Sequence, residues 1–247
     1  MSRKPPPQPQ KRKTPQRPKP KLKAGKARRK AKPNPPDLWH EMNAGHPSIL
    51  IAGIDEVGRG CLAGPVVAAA VVLPSIIDYE ACPWLHDVAD SKLVDAEDRE
   101  RLDPLIREWA PAFAIGAATV EEIDRINIFH ASHLAMVRAL EGLSIRPAHV
   151  LVDGKFLPKG FKDFSTAIIK GDLKCLSIAC ASLIAKVFRD RLMVEHDTRY
   201  PGYGFASNKG YGTPVHHAGL EKLGVTEIHR RSFEPVALTI RRRTALV

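Results

Sequence analysis

The stretch Ile51–Gly60, IAGIDEVGRG, is the most informative part of the 247-residue chain. An apolar run typical of a buried strand stops at two adjacent carboxylates, Asp55 and Glu56, and a glycine-arginine-glycine turn at 58–60 follows at once. Burying two negative charges at the end of a strand costs free energy unless they are paired with an opposite charge or bind a cation. The presence of these two charges therefore has to be explained, and the residues at the other strand ends of the chain suggest the explanation.

The sequence beyond this stretch alternates between strand-like and helix-like segments. The run VVAAAVVL at Val66–Leu73 is apolar enough to be buried on both faces of a sheet. A short segment separates it from the first strand, which favours an antiparallel hairpin between neighbouring strands. Five strands are predicted in all, at Ser48–Ile54, Val66–Leu73, Phe113–Ala118, His149–Val152 and Phe164–Ile169.

Helices are predicted in the intervals between the strands. The clearest spans 177–196, where apolar residues recur at steps of three and four along one face. The others are expected at 95–109, at 121–142 with a break near Asn127, and from about 214. The pattern predicts an α/β fold in which a mixed β-sheet is flanked by helices, with a helical C-terminal extension.

Three of the predicted strands end at acidic residues. Besides Asp55 and Glu56, Asp153 closes the fourth strand in LVDG and Asp172 follows the fifth in IIKGD. Ligands of open α/β sheets gather at the carboxyl ends of strands, and acids collected there raise each other's pKa. A divalent cation relieves this repulsion, and carboxylate oxygens suit Mg²⁺ or Mn²⁺. Because two such ions can clamp the attacking and leaving oxygens of a phosphodiester, the pattern predicts metal-assisted phosphoryl chemistry.

The adjacent acids present a geometric difficulty, because neighbouring residues of a strand point to opposite faces. Asp55 and Glu56 can share one site if the strand ends or bulges there, which the glycines at 58 and 60 favour. For any one acid the alternative is a solvated charge at a strand end. The four acids together favour a functional cluster.

Charge is distributed very unevenly along the chain. Its net charge is +11, yet residues 1–36 contain 14 of the 38 lysines and arginines, 10 of the 21 prolines and no acidic residue. We expect a disordered basic tail, because such a segment cannot bury enough apolar surface to offset its ordering entropy. Dense positive charge attracts polyanions, which favours a nonspecific nucleic-acid arm over a solubilising extension.

Other features exclude several classes of protein. The four cysteines, at 61, 82, 175 and 180, lack the spacing of a zinc site or a redox pair, so the reduced thiols of a cytoplasmic protein are expected. No stretch approaches the roughly 20 apolar residues of a membrane helix, and the tail lacks the apolar core of a signal peptide. We expect a monomer without membrane association, divided into a tail at 1–36, a catalytic domain at 48–238 and a C-terminal tail at 239–247.

The motifs around these residues resemble one family. In chain order they read IDEVGRGCLAGPVVAAAV, DSK, IDRINIFHASHLAM, LVDG, KGD, SIACASLIAKVFRDRLM, KGYGT and HRRSFEPV, and they cover about residues 49–237. Together they resemble the signature of the type 2 ribonuclease H family, and bacterial ribonuclease HII in particular. The chain departs from the family's common alanine at Cys180. The basic tail lies outside the resemblance, and it is too short and proline-rich to be the folded N-terminal domain of ribonuclease HIII.

The resemblance implies a ribonuclease H-like fold and an endonuclease that uses Mg²⁺ or Mn²⁺. It implies cleavage of the RNA strand in RNA/DNA hybrids, and of duplex DNA 5′ of single embedded ribonucleotides, leaving a 3′-hydroxyl and a 5′-phosphate. Such an enzyme removes misincorporated ribonucleotides and RNA primers in DNA repair and replication. The family's catalytic, metal-binding carboxylates match Asp55, Glu56, Asp153 and Asp172. Asp190 is a rival for the fourth place, and we prefer Asp172 because it lies at a strand end.

The resemblance also implies a set of substrate-binding residues. The turn Gly58, Arg59 and Gly60 resembles the family element that contacts the ribonucleotide 2′-hydroxyl and the adjacent phosphate, where glycines let the backbone approach the sugar. For Arg59 the alternative is an ordinary ion pair. Tyr211 of KGYGT resembles the family tyrosine that stacks on the next sugar, with a packed loop aromatic as its alternative. Further polar residues expected on the substrate side, or else in structural roles, are Lys92, Ser182, Lys186 and Arg189.

Two other functions fit parts of the pattern. Transposases, integrases and junction resolvases also combine clustered acids with two metals, but they lack the GRG turn and the KGYGT loop. A noncatalytic nucleic-acid-binding protein would use the basic tail, but it has no need for acids at all four positions. Cleavage of a duplex with a single ribonucleotide separates the first alternative, and metal-dependent cleavage of any hybrid excludes the second.

Overall fold

The computed structural model describes residues 35–245, so the predicted basic tail lies outside the described residues except for its last two positions. The strands are β1 (Ile51–Val57), β2 (Val66–Val72), β3 (Ala112–Ala118), β4 (His149–Asp153) and β5 (Ser165–Ile168). The helices are α1 (Trp39–Asn43), α2 (Ala96–Trp109), α3 (Val120–Glu141), α4 (Leu176–Arg199), α5 (Phe205–Asn208), α6 (Pro214–Leu223) and α7 (Glu234–Thr244). Short 3₁₀ turns occupy Pro83–Asp87 and Gly171–Leu173. Among residues 35–245, no helix is both long enough and apolar enough to cross a membrane.

The five strands form one mixed sheet in the order β3-β2-β1-β4-β5. The β1–β2 and β2–β3 pairs are antiparallel, whereas β1–β4 and β4–β5 are parallel. The predicted α/β fold and the predicted hairpin are therefore confirmed. Because β1, β4 and β5 run the same way, their carboxyl ends meet at one edge of the sheet, where ligands of such folds bind.

Strand β2 is buried along its whole length because helices cover both faces of the sheet. Val67, Ala69 and Val71 face the core that contains α2 and α4, while the alternate residues of the strand face the core beneath α3. Helix α4 packs directly on β1. A Cβ atom at Gly53 would lie 2.1 Å from the carbonyl carbon of Ser177, so the close approach of α4 requires a glycine there.

One predicted strand boundary is wrong. Strand β1 does not stop before the acids but continues to Val57, with Asp55 paired with Ala69 and Glu56 with Ala68 of β2. The reason is that β2 continues opposite the acids, so the ladder hydrogen bonds extend past them. At the other end of the chain, α7 extends to Thr244 and thus includes most of the predicted C-terminal tail that the structure describes.

The predicted break in the helix at 121–142 is confirmed. Asn127 interrupts α3 with φ 64° and ψ 164°. Its side-chain oxygen accepts hydrogen bonds from the backbone N–H groups of Phe129 and His130, at 3.0 and 3.2 Å. Asn127 therefore caps the second half of the helix, as asparagine does at helix starts.

The folded part of the chain starts before the predicted boundary at residue 48. In α1, the fully buried Glu41 accepts hydrogen bonds from the backbone N–H of Ser177 at 2.9 Å and from its hydroxyl at 2.8 Å. Ser177 lies in the first turn of α4, where a carboxylate also interacts favourably with the helix dipole. Residue 37 pairs with Cys175 in an isolated parallel bridge. Both contacts attach the segment before β1 to the start of α4.

Candidate active site

Three carboxylates converge at the carboxyl end of the parallel strands. Asp55, Glu56 and Asp153 each offer an oxygen atom, and these atoms all lie within 4.8 Å of one another. Asp55 is buried, and its Oδ1 accepts a hydrogen bond from the backbone N–H of Glu56 at 2.7 Å. The Asp55 side chain thus bends toward the backbone of the next residue, while Glu56 lies one residue before the strand ends. The two neighbours share one site for this reason.

Burial and neighbouring negative charges raise the pKa of Asp55 and of Glu56. Burial, and then the charges of Glu56 and Asp153, raise the pKa of Asp55 well above its ordinary value, although a hydrogen bond from Ser182 opposes this. Burial raises the pKa of Glu56 to about 7, against the opposing charge of Arg59. A bound divalent cation would remove both penalties, because it supplies the opposite charge that buried carboxylates lack. The donor set consists of hard oxygen ligands, which fit Mg²⁺ or Mn²⁺.

The two rivals for a fourth carboxylate lie in different surroundings. Asp172 lies in the 3₁₀ turn after β5, and burial, then Asp90 and Asp153, raise its pKa. The turn is joined to the cluster by the backbone N–H of Gly171, which donates to Asp153 Oδ1 at 2.7 Å. Asp172 is nevertheless not one of the three converging carboxylates.

Asp190 belongs to a separate ion-pair group on α4. Its oxygens lie 2.7 Å from Lys186 Nζ and 3.7 Å from Arg99 Nη2. Two cations of the protein already neutralise this carboxylate, so it has no need of a metal. Asp172 therefore stays the predicted fourth acid.

Cationic side chains surround the cluster at the surface. Arg59 Nη1 lies 3.3 Å from Glu56 Oε1, and half of the Arg59 side chain is exposed. Lys92 Nζ lies 3.5 Å from Asp172 Oδ2 and 3.7 Å from Asp90 Oδ1. The side chains of Arg59 and Lys92 are both at least half exposed, so both cations can turn toward a phosphate.

The polar residues of α4 are less accessible than the sequence predicts. Ser182 is buried and shares a hydrogen bond of 2.9 Å with the hydroxyl of Ser91. Lys186 is mostly buried against Asp190. Arg189 is fully buried, which argues against the substrate side and favours the structural role that was its alternative. The connection between β1 and β2 covers this part of the helix, so the guanidinium serves backbone carbonyls instead of substrate.

Two buried arginines hold that connection from beneath. Arg189 donates to the carbonyls of Pro65, Lys209 and Ala63, at 3.0, 2.8 and 3.0 Å. Arg230, also fully buried, donates to the carbonyls of Gly64, Arg59 and Gly58, at 2.9, 2.9 and 2.7 Å. Burial lowers the pKa of Arg230 to about 10, so it stays charged at neutral pH. We call Arg189 and Arg230 the buried arginine pair.

The two glycines of the turn have different roles. Gly58 has φ +93°, and a Cβ atom there would lie 2.2 Å from Arg189 Nε. This glycine is therefore required by the protein itself. At Gly60 a Cβ atom would meet nothing closer than Tyr211 Cε1, at 3.8 Å. The protein has room for a side chain at Gly60, so any need for glycine there comes from outside the protein.

A chain of hydrogen bonds positions the loop that carries Tyr211. His216 Nδ1 lies 3.0 Å from the carbonyl oxygen of Tyr211, so this nitrogen donates. The N–H of Thr226 donates to His229 Nδ1 at 3.0 Å. His229 must then carry its proton on Nε2, which donates to His216 Nε2 at 3.1 Å. The partners thus determine the tautomers of two buried, neutral histidines.

The sequence gives no role to several residues that shape this site. Arg230 lies in the motif HRRSFEPV, but the carbonyls it holds are more than 160 residues away in the chain. Asp90 and Asp172 are also far apart in the chain, so the sequence does not show that these two carboxylates are neighbours. The spacing of His216 and His229 in the sequence is not that of metal ligands. Only the folded structure shows that the two histidines contact each other.

Comparison with known proteins agrees with this arrangement. The profile of the ribonuclease HII family matches residues 52–236. A ribonuclease HII of Myxococcus xanthus is 51% identical over 212 residues, which cover 86% of this chain and 69% of that protein. One from Paracoccus denitrificans is 52% identical over 190 residues, covering 76% and 86%. The crystal structure of ribonuclease H2 from Pyrococcus horikoshii OT3 has a TM-score of 0.65 at 29% identity, over 78% of this chain and 98% of that one. The predicted resemblance is confirmed: the chain belongs to the ribonuclease HII family and is a ribonuclease H hydrolase.

Proposed function

We propose that this ribonuclease cuts the RNA strand of RNA/DNA hybrids and cuts duplex DNA 5′ of a single embedded ribonucleotide, leaving a 3′-hydroxyl and a 5′-phosphate. Its role is then the removal of misincorporated ribonucleotides and RNA primers. The observation that carries this proposal is that Tyr211 lies next to the turn that follows the carboxylates, since a Cβ atom at Gly60 would be 3.8 Å from Tyr211 Cε1. The backbone of Gly60 can approach the ribose, and the nearby ring of Tyr211 can pack on the next sugar of the strand.

The cluster is assigned to catalysis. Asp55, Glu56 and Asp153 would hold the divalent metal, with Asp172 as the fourth ligand. When bound, such ions polarise the scissile phosphate and the attacking water and stabilise the leaving oxygen. Arg59 and Lys92, which reach the edge of the cluster, orient the phosphates on either side of the cut.

Peptide geometry supports the assignment of the turn to the 2′-hydroxyl. The carbonyls of Gly58 and Arg59 point toward Arg230, which binds both. In a trans peptide the N–H group points the opposite way from the carbonyl. The N–H groups of Arg59 and Gly60 therefore point away from Arg230 and can donate to a ribose hydroxyl or a phosphate oxygen. A deoxyribose lacks the hydroxyl, so it forfeits that hydrogen bond.

The test compares two substrates for each of two variants. Tyr211→Ala should lose more kcat/KM on a duplex with one ribonucleotide than on a long hybrid, because only the first requires a junction between RNA and DNA. Gly60→Ala should lower kcat/KM on both, since its methyl group meets the incoming sugar. Gly60→Ala should also melt like the wild type, because the free protein has room for the added carbon.

The ratio of kcat/KM on the two substrates is the measured quantity. If the ratio for Tyr211→Ala equals that of the wild type, the tyrosine does not recognise the junction and recognition rests on the turn alone. If the wild type fails to cut the single-ribonucleotide duplex while it cuts the long hybrid, the proposed specificity is wrong.

A further inference from the structure

An aromatic pocket beside the carboxylate cluster has no part in the function proposed so far, and we propose that it binds one unpaired nucleotide of the nucleic acid. The pocket has a volume of about 450 Å³ and lies between α3 and the segment after β4. None of the nine residues that line it is acidic. They are Phe129, His130, His133, Leu134, Val137, Phe156, Leu157, Pro158 and Lys159.

Two phenylalanines form the walls of the aromatic pocket. The ring centroids of Phe129 and Phe156 lie 5.7 Å apart at an interplanar angle of 80°, and the ring of His133 lies 4.5 Å from Phe129. Phe156 keeps 56% of its surface exposed. Within the described part of the chain, neither phenylalanine belongs to a hydrophobic core cluster. Clustered aromatic surface outside the core marks a binding site, and flat rings suit a nucleobase.

The charge around the pocket matches a phosphate backbone. Lys155 Nζ lies 5.4 Å from the centroid of the Phe156 ring, and Lys159 lines the pocket. Burial, and then the positive charge of Arg59, lower the pKa of His133. The charge of Arg59 therefore contributes to the positive potential at this pocket. Aromatic rings interleaved with cations are the usual means of binding single-stranded nucleic acid.

The occupant has to be an unpaired nucleotide, because bases in a duplex are covered on both faces by their neighbours. The pocket is also close to the point of cleavage. Phe156 follows Asp153 by three residues, a reach of at most about 11 Å, which corresponds to roughly three nucleotides of a strand at about 3.4 Å each. We therefore assign the pocket to a nucleotide at the boundary between duplex and single strand.

This inference rests on the proposed function for its biological use, but its test does not. The probe is an all-DNA duplex with a short single-stranded extension that contains 2-aminopurine, whose fluorescence falls when the base stacks. The comparison is a blunt duplex of the same paired sequence. Neither contains a ribonucleotide, so binding is measured without cleavage, and a failure of the cleavage specificity proposed above leaves the binding result interpretable.

The variants distinguish base stacking on an aromatic ring from nonspecific hydrophobic binding. Phe156→Leu keeps an apolar side chain but removes the ring, whereas Phe156→Trp keeps a ring. Ile76→Ala is the control, because Ile76 is 82% exposed and follows β2 at the end of the sheet remote from the acids. Every variant contains the basic segment 1–36, so nonspecific binding by that segment is common to all.

The wild type and Phe156→Trp should quench the fluorescence of the extension. Phe156→Leu should lose the quenching and bind the extended duplex about five- to tenfold more weakly, the lower range for one stacked base, while its affinity for the blunt duplex changes less than about twofold. Equal losses on both duplexes, unchanged affinity for both, or quenching that survives in Phe156→Leu would each overturn the proposal. A thermal melt of each variant verifies that it is folded.

Discussion

The carboxylate cluster and the buried arginine pair differ in how well their charged groups are matched by partners within the protein. In the cluster, burial and neighbouring negative charges raise the pKa of Asp55 and of Glu56. In the arginine pair, each buried guanidinium donates to three backbone carbonyls. The difference shows that the groups assigned to chemistry are left in need of a cation, whereas every guanidinium nitrogen of the arginine pair has a carbonyl acceptor. The first region favours binding and the second favours rigidity.

The largest expected effect comes from breaking the cluster. Asp55→Asn should lower kcat on a hybrid substrate on the order of 10³-fold or more, because a neutral amide cannot balance the charge of divalent ions. In metal-free buffer the same variant should melt higher than the wild type, by roughly 2–4 °C for each kcal/mol of repulsion removed. Mg²⁺ should raise the melting temperature of the wild type more than that of the variant.

Asp190→Asn is the matched control for this prediction. Its carboxylate is paired with Lys186 and Arg99, so its loss should lower stability and not raise it. Turnover at the wild-type level in Asp55→Asn would show that the cluster is not the catalytic centre.

A second, smaller effect should come from breaking the arginine pair. Arg230→Met should leave three carbonyls, two of them in buried hydrogen bonds, without their donor and lower the free energy of unfolding by about 3 kcal/mol, within the range for removing one partner of a buried network. Arg231→Met is the neighbouring control, since Arg231 is exposed. Chemical denaturation of both variants measures the difference. Equal effects at the two positions would mean that Arg230 does not hold the turn.

The smallest effect concerns pH. The folded protein lowers the pKa of His229 to about 4 from its ordinary 6.5, mainly by burial and then by His216. The stability contributed by the neutral ring is therefore fully present above about pH 6.5 and is lost as pH falls toward 4. Replacing His229 with glutamine removes hydrogen bonds at pH 7, but it also removes this acid sensitivity.

The measurement is the free energy of unfolding of the wild type and of His229→Gln at pH 7 and pH 4.5. The difference between the two proteins should shrink at the lower pH by about 2 kcal/mol, from the shift in pKa. His217→Gln, at an exposed neighbouring position, should leave the pH dependence unchanged. A difference that is independent of pH would contradict the buried, neutral state assigned to the pair.

The sequence predicts the parts of this molecule that depend on local pattern. The apolar run of β2, its hairpin with β1 and the break at Asn127 all follow from neighbouring residues. The meeting of Asp55 with Asp153 follows from the rule for strand ends. Each of these requires knowledge of one element and its direction.

Features that depend on distant contacts were not predictable in this way. Helical spacing places Arg189 on one face with Ser182 and Lys186, but spacing does not show that the connection between β1 and β2 covers the later part of that face. Likewise, the acids at the end of β1 suggest that the strand has ended, whereas pairing with β2 extends it. Tertiary contacts override the local pattern in both cases.

The hydrogen bonds of Glu41 also decide where this protein can be trimmed. Proteolysis within the basic segment would leave residues 37–43 in place, together with the carboxylate that caps the 24-residue α4. Removal of everything before residue 48 would instead expose the positive end of that helix dipole and leave Ser177 without its acceptor at the centre of the fold. The shortest stable fragment should therefore begin near Asp37. Limited proteolysis, which cleaves only unfolded segments, should produce a fragment that begins there.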